Sequence, residues 1–263
     1  DYDGNPTYYY RGSVENNYVK FAGYFWRIIR INSNGSIRMI YDGTVAHQNG
    51  EASDDRQYGT SVFNPVYNNN MYVGYMYTEG EAHGTKTSST IKTNVDKFYA
   101  DKLSSFASKL DTDSGFCGDR MPLIFPDNVG TNQIITYQKA HLRVEESTPT
   151  LACENVSDYY TVGSSVSGNK KLSYPLGLIT ADEAMFAGHA GGVFDGLYNH
   201  TKINKNGFLI TGNIFWTITP VGYYYAYGNA GAASYIFVIR EDGKMDEPYS
   251  NDTIGCRPVI NIR

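Results

Sequence analysis

Short hydrophobic runs alternate with tight turns along the first 41 residues. Runs at Tyr18–Phe21, Tyr24–Asn32 and Ser36–Tyr41 have the length and the aromatic and β-branched content of strands. Ala22-Gly23 and Asn34-Gly35 separate these runs, and the second pair predicts a two-residue type I′ turn, in which both central residues take a positive φ. The pattern therefore predicts an antiparallel meander whose middle strand is apolar on both faces and covered on both sides.

Two helices are predicted further along the chain. Hydrophobic residues recur every three to four positions from Ser89 to Leu110, which is the period of a helix with one buried face. A short strand at Leu176–Ile179 precedes the second helix. That helix begins at Thr180, because Thr180 and Glu183 have the spacing of a capping box, and Gly188 ends it.

The end of the chain returns to a strand pattern. "GFLITGNIFWTITP" and "YIFVIREDGKM" read as strands, Asp242-Gly243 predicts a hairpin turn, and "GCRPVINIR" closes the sequence. No internal repeat or Pro-rich linker divides the chain, which predicts one domain over residues 1–263 with loop-rich insertions at about 44–88 and 111–172. We expect an α+β fold, in which antiparallel N- and C-terminal strands share a sheet and the helices pack outside it.

Composition and charge narrow the class of protein. The net charge is −5 and no basic run exceeds Lys170-Lys171, which argues against binding to nucleic acid. No apolar run reaches the roughly 18 residues of a membrane span. The opening "DYDGNP" is not a signal peptide, so we expect a membrane anchor to have been removed from this sequence. Low charge with much Asn, Gly, Ser and Tyr favours an exported protein of the bacterial cell surface.

Four motifs occur in a characteristic order near the end of the chain: "LITADEAMFAG", "FWTITP", "FVIREDGKM" and "GCRPVINIR". Over residues 172–263 this order resembles the C-type-lectin fold of formylglycine-generating-enzyme-like proteins. With "YVKFAGYFWRIIRINSNGSIRMIYDG", the likeness extends to exported, sometimes pilin-like, surface proteins of gut Firmicutes. The same fold displays the variable residues of proteins diversified by retroelements, which are rich in Tyr, Asn, Ser, Ala and Gly.

The resemblance also bears on the cysteines. Three cysteines are compatible with one disulfide and one thiol, and their spacing does not suggest zinc. Cys117 and Cys153 match cysteines common in the resembling proteins, which implies a disulfide between them. Cys256 stands where those proteins usually have Val, and we expect it to be a small hydrophobe in a strand.

Catalysis and metal binding are not expected. Formylglycine-generating enzymes use two active-site cysteines close in space, whereas two cysteines here look structural and the third looks buried. There is no Gly-x-Ser-x-Gly elbow. "DEPYSND" at Asp246–Asp252 superficially resembles the calcium ligands of sugar-binding lectins, but turn chemistry explains it equally well. We therefore predict a protein that is not an enzyme and has no cofactor or metal.

Tyrosines crowd the stretch "GYYYAYGNAGAASY" from Gly222 to Tyr235. Tyr gives a large, rigid contact area, and small residues adapt around it, as in antibody binding loops. The sequence predicts a ligand face of a cell-surface protein, for a protein or glycan ligand. The alternatives are a Tyr-rich strand pair packed on the sheet, or a type IV pilin-like subunit whose tyrosines pack in a fibre. The predicted ligand-binding residues are Tyr223, Tyr224, Tyr225, Tyr227, Asn229 and Tyr235. After a bend at Pro220, we expect the first four to face solvent.

Overall fold

The computed structural model describes residues 4–121, 139–189, 206–224 and 233–263. Its helices are α1 (Thr90–Phe98), α2 (Lys139–Glu146) and α3 (Ala181–Phe186). Its strands are β1 (Tyr8–Tyr9), β2 (Tyr18–Phe21), β3 (Tyr24–Ile31), β4 (Ile37–Tyr41), β5 (Thr60–Ser61), β6 (Met76–Tyr77), β7 (Thr87–Ser88), β8 (Phe116–Cys117), β9 (Tyr159–Tyr160), β10 (Leu176–Gly177), β11 (Phe215–Tyr224), β12 (Ala233–Ile239), β13 (Met245–Asp246), β14 (Ile254–Gly255) and β15 (Val259–Ile262).

The fold is mixed α and β, with mostly antiparallel sheets. The first sheet has the order β1-β3-β4-β15-β10, with β2 also paired to β3. In it β15 pairs antiparallel with β4, so N- and C-terminal strands share a sheet as predicted. The second sheet has the order β13-β12-β11-β14-β5, and only its β11–β14 pair is parallel among the described strands. The expectation that one sheet would hold both β-rich ends is therefore wrong for β11 and β12, because these strands pair with each other and with β14 and β13 and not with strands of the N-terminal meander.

The core is one contiguous cluster among the described residues, built from both halves of the chain. Trp26 and Trp216 are each 0% exposed. Trp26 meets the rings of Tyr41 and Phe98 edge-on, at centroid distances of 5.7 and 6.0 Å. Trp216 meets Phe63 in the same way at 5.7 Å. Edge-to-face pairs of this kind add stability beyond the area that they bury.

The helix α3 lies between the sheets and not outside them. Its Glu183 pairs with Arg30 and Arg38 of the first sheet, at 2.9 and 2.5 Å. On the other side, the amide of Ala181 donates to the hydroxyl of Thr219 in β11 at 3.0 Å. The prediction that both helices lie outside is therefore wrong for α3, because small alanines let it approach both sheets and the two arginines neutralise its buried carboxylate.

The helix ends follow their local signals. Thr180 and Glu183 form the predicted capping box, and Gly188, at φ +104°, ends the helix. The amides of Gly188 and His189 donate to the carbonyls of Met185 and Ala184, which is the Schellman pattern. The region Ser89–Leu110 is helical, but α1 continues as a π-helical turn at Tyr99–Leu103 and a 3-10 segment at Ser104–Lys109. No helix in the described ranges is long and apolar enough to cross a membrane.

The type I′ turn of the meander forms at the first of the two predicted turns and not at the second. Ala22 and Gly23 have φ of +53° and +85°, so the type I′ turn lies there. At the second site only Gly35 has a positive φ, so the type I′ prediction for Asn34-Gly35 is wrong. The amide of Gly35 donates to Asn32 at 2.9 Å and that of Asn32 to Ser36 at 2.8 Å, which is a type I turn followed by a glycine bulge. The predicted hairpin turn at Asp242-Gly243 is built in the same way between Arg240 and Lys244.

Candidate functional site

The predicted ligand-binding residues lie around the junction of β11 and β12. The backbones of Tyr223 and Tyr224 end β11, opposite Ser234 and Ala233, and the register shifts on both sides of Pro220. The strand therefore continues irregularly beyond the predicted bend. Tyr225, Tyr227 and Asn229, and the side chains of Tyr223 and Tyr224, lie outside the described residues. The predicted exposure of the first four tyrosines consequently remains a prediction.

Tyr235 belongs to a cluster of three tyrosines, which we call the tyrosine face: Tyr67, Tyr235 and Tyr249. The ring centroids of Tyr235 and Tyr249 are 5.0 Å apart, and those of Tyr249 and Tyr67 are 5.8 Å apart. Tyr67 is 45% exposed and Tyr249 is 44% exposed, whereas Tyr235 is half-buried. Three separate segments of the chain thus present aromatic rings on one surface.

Two serines hold these segments together beneath the rings. The amide of Ser234 donates to the carbonyl of Tyr67 at 2.6 Å, and the amide of Ser250 donates to the carbonyl of Ser234 at 2.9 Å. The hydroxyl of Ser250 donates to the carbonyl of Val66 at 3.1 Å. Both serines are 0% exposed, so the framework under the face is built from buried hydrogen bonds. Such a framework fixes the positions of the exposed rings.

The phenol of Tyr235 stays neutral at physiological pH. Burial, followed by a hydrogen bond to Tyr249, raises the pKa of Tyr235 to about 12. Neutral phenols both donate and accept hydrogen bonds, while their rings offer apolar area. The helical turn at Asn70–Val73 lies against β11 and β12. Its Tyr72 forms a ring pair with Tyr77 of β6, with a centroid distance of 5.0 Å. The arrangement of the tyrosine face suits contact with a ligand surface.

Sequence reasoning missed Tyr67 and Tyr249. Both lie in segments predicted as loops or turns, "NPVYNNN" and "DEPYSND", where no periodicity marks a side chain as exposed or buried. One signal was available, since the first segment has the same Tyr and Asn content as the predicted face. Pairing these loops with β12 depends on contacts across the whole chain, which local patterns do not carry.

A cleft beside the disulfide forms a second site of interest. Cys117 and Cys153 are bonded, with an S–S distance of 2.02 Å, which is the pairing that the resemblance implies. Cys117 lines a cleft with an open volume of about 410 Å³, together with Asp119, Asp182 and Glu183. Arg143 bonds both Asp119 and Asp182. The three carboxyl groups of the cleft are thus bonded to three guanidinium groups, because Glu183 pairs with Arg30 and Arg38.

Asp119 is the most perturbed group of this cleft. Its φ is +43°, in a region that residues other than glycine rarely adopt. Burial raises the pKa of Asp119 to about 6, against the opposing effect of Arg143. By contrast, Arg38 and Arg30 outweigh burial at Glu183 and lower its pKa. The carboxyl of Asp119 thus changes its protonation near neutral pH, while that of Glu183 stays ionised.

The remaining candidates resolve into structural roles. In "DEPYSND", Asp246 pairs with Arg240 at 2.8 Å, Glu247 with His141 at 2.8 Å, and Asp252 accepts from the amide of Tyr249 at 2.9 Å. Over the described ranges, no group of three or more His, Cys, Asp or Glu side chains is placed to hold a metal ion. Cys256 is a buried thiol whose pKa burial raises to about 12.

Comparisons of the chain with protein-family models, with curated proteins and with solved structures find no match.

Proposed function

We propose that this protein is a non-catalytic ligand-binding domain of the bacterial cell surface and that it binds through the tyrosine face. The observation that carries the proposal is the convergence of three tyrosines from distant segments on one surface, two of them close to half exposed. Large aromatic patches on a rigid, hydrogen-bonded frame are typical of binding surfaces. Tyr223, Tyr224, Tyr225 and Tyr227 remain predicted contact residues, and the strand that the first two end pairs with the strand of Tyr235.

The proposal includes the finer fold assignment. The pairing of β15 with β4, the capped start of α3 at Thr180 and the hairpin at Arg240–Lys244 are features that the C-type-lectin-like resemblance implies. They support a C-type-lectin-like scaffold. The ligand is proposed to be a protein or a glycan of the surrounding cell surfaces. The disulfide supports an extracellular location, because such bonds persist in oxidising compartments.

Binding to intact bacterial and host cells, and to arrays of their glycans, tests the proposal. We expect Tyr67→Ala and Tyr249→Ala each to weaken binding by tenfold or more, since central aromatic contacts are worth about 2 kcal/mol. The melting temperature should hardly change, because both rings are largely solvated. Tyr8→Ala is the matched control, since Tyr8 is 71% exposed but lies on the first sheet.

Two outcomes would count against the proposal. If Tyr67→Ala and Tyr249→Ala bind like the control, the face is not the binding site. If they instead abolish self-association in sedimentation experiments while cell binding is absent throughout, the pilin-like alternative is favoured.

A further inference from the structure

A buried histidine contacts two carboxylates from separate elements. On α2, Nδ1 of His141 lies 2.8 Å from the carboxylate of Glu247, and Nε2 lies 3.0 Å from that of Glu145, one turn further along the same helix. The side chains of His141 and Glu247 are only 9% and 8% exposed. We call these three residues the histidine bridge. It joins α2 to the segment that follows β13.

Both ring nitrogens of His141 face acceptors, which is the arrangement of a protonated imidazole. A carboxylate only accepts hydrogen bonds, and a neutral imidazole donates from one nitrogen alone. The pKa of His141 agrees with this geometry: burial lowers it, but the bonds and charges of Glu247 and Glu145 outweigh burial and raise it above the ordinary 6.5. Loss of the proton therefore removes one of the two hydrogen bonds and leaves Glu247 buried without its counter-charge.

The other charged groups on the elements around His141 have partners of their own or lie in solvent. They are, with their partners, Lys139 and Glu154, Arg143 with Asp119 and Asp182, Glu183 with Arg30 and Arg38, Asp246 and Arg240, and the exposed Glu146. From β12, the ring of Phe237 stacks on the imidazole at a centroid distance of 6.3 Å. The charge of His141 is thus set chiefly by its two glutamates.

Tyr249 of the tyrosine face is attached on both sides. On one side, Glu247 stands two residues before it and is bonded to His141. On the other, the buried amide of the next residue, Ser250, donates to the carbonyl of Ser234 at 2.9 Å. The attachment through Ser250 has no ionisable group, so it does not change with pH. The attachment through His141 is ionic and changes when the imidazole loses its proton.

We propose that the histidine bridge is a proton-dependent switch of the tyrosine face: protonated His141 holds the Tyr249 segment in its binding position, and loss of the proton releases it. This inference rests on the proposed function and specifies the regulation of that site. Because the pKa of His141 is higher in the folded than in the unfolded chain, the stabilisation is present in full below pH 6.5 and is lost as the pH rises through the folded-state value. Binding should therefore be strong at mildly acidic pH and weaker at mildly alkaline pH.

Hydrogen exchange followed by NMR tests the switch in the whole domain without a ligand, from about pH 5.5 to about pH 8.5. The amide of Ile236 donates to the carbonyl of Pro248, and that of Ser250 to Ser234, so both amides report release of the Tyr249 segment. We expect their protection, corrected for the intrinsic exchange rate, to fall about threefold or more as the ring signals of His141 titrate. Constant protection through this titration would overturn the switch.

Two variants separate the switch from a general effect of pH on stability. Glu247→Gln should keep the two amides equally protected across the range, because the new amide carbonyl accepts from neutral and protonated imidazole alike. His141→Gln should give the low protection at every pH, since it cannot carry the charge that Glu247 needs. If the pH dependence persists in Glu247→Gln, the histidine bridge is not its cause.

The matched control is His83→Gln. Nδ1 of His83 lies 2.9 Å from the buried carboxylate of Asp158, so this histidine is also paired but belongs to neither the histidine bridge nor the tyrosine face. His83→Gln should show the same pH dependence at Ile236 and Ser250 as the wild type. Loss of the dependence in this variant would overturn the assignment to His141.

Binding to intact cells at about pH 6 and about pH 8 distinguishes failure of this inference from failure of the proposed function. We expect wild-type binding to be about threefold or more weaker at the higher pH, and that of Glu247→Gln to be equal at both. If Tyr67→Ala and Tyr249→Ala lose binding while the wild type binds equally at both pH values, the tyrosine face is the binding site and the switch is wrong. If the two tyrosine variants bind like the wild type, the proposed function fails whatever the exchange data show.

Discussion

At the scale of single residues, the sequence patterns did not predict the buried arginines. Asp42 is 0% exposed and pairs with Arg27, Arg56 and Arg257, at 3.1, 2.8 and 2.7 Å. Backbone carbonyls accept the other donors of these arginines, including those of His47, Glu51 and Leu209. One carboxylate therefore joins the first sheet, the loop that follows it and the last strands. The strand pattern predicted that β3 is covered on both sides, but not that the cover is ionic.

Removing this carboxylate tests its role. We expect Asp42→Asn to lower the free energy of unfolding by about 3–5 kcal/mol, because it leaves buried guanidinium groups without their counter-charge. Urea unfolding measures the change. Glu154→Gln breaks the exposed pair with Lys139 and should cost less than about 1 kcal/mol. A loss at Asp42 no larger than at Glu154 would show that the carbonyls alone satisfy the arginines.

The pKa of Asp119 predicts a pH dependence of stability. Its folded-state value of about 6 lies above the ordinary 3.8, so the folded protein keeps a proton that the unfolded chain releases. The stability from this group is complete below about pH 4 and is lost as the pH rises through about 6. Relative to the wild type, Asp119→Asn should therefore gain up to about 3 kcal/mol between pH 4 and 7.5. If the free energy of unfolding changes with pH equally in the two proteins over this range, the raised pKa of Asp119 is wrong.

At the scale of elements, local signals predicted the helix caps and most strands. Ser89, Thr180 and Gly188 act where the sequence places them, because a cap depends only on its immediate neighbours. Turn type was not predictable from the Asn-Gly pair alone. Asn34 keeps a negative φ because its side chain accepts from the amide of Ser36 at 3.0 Å and donates to Asp111 at 2.9 Å.

The two turns should respond oppositely to glycine. Ala22→Gly should raise the free energy of unfolding by about 0.5 kcal/mol, since a residue with a side chain is strained at positive φ. Asn34→Gly should lower it by about 1 kcal/mol or more, since the four hydrogen bonds of the Asn34 side chain, with Ser36, Asp111 and Ser114, are lost and backbone freedom is gained in the unfolded state. Thermal or urea unfolding of both variants measures these changes. If the free energy of unfolding changes in the same direction in both variants, the turn assignments are wrong.

At the scale of the whole molecule, pairing between distant segments determines how the sheets and helices are arranged, which local sequence patterns do not predict. The division into two sheets and the position of α3 depend on partners far apart in the chain, such as Val259 and Ile40. The tyrosine face depends on the same kind of contact, which explains why Tyr235 was predicted while Tyr67 and Tyr249 were not. Hydrophobic patterns show that a segment is buried, but not which segment covers it.

The disulfide should be detectable in the intact protein. A non-reduced digest should yield a linked peptide containing Cys117 and Cys153, and reduction should destabilise the fold by about 3–4 kcal/mol, because the bond closes a long loop. Cys256 should resist alkylation until the protein unfolds, since its thiol is 0% exposed and its pKa is raised to about 12. Mass spectrometry finding a link to Cys256 would overturn the pairing.

The position of β15 has a consequence for how the protein is made. This strand comes far later in the sequence than β4, yet it fills the gap between β4 and β10 inside the first sheet. A ribosome therefore releases β4 long before its neighbour exists, and the nascent chain carries an open strand edge that invites mispairing. The first sheet can close only after β15 has been synthesised. Until then the unpaired edge of β4 is a site at which a chaperone can hold the nascent chain.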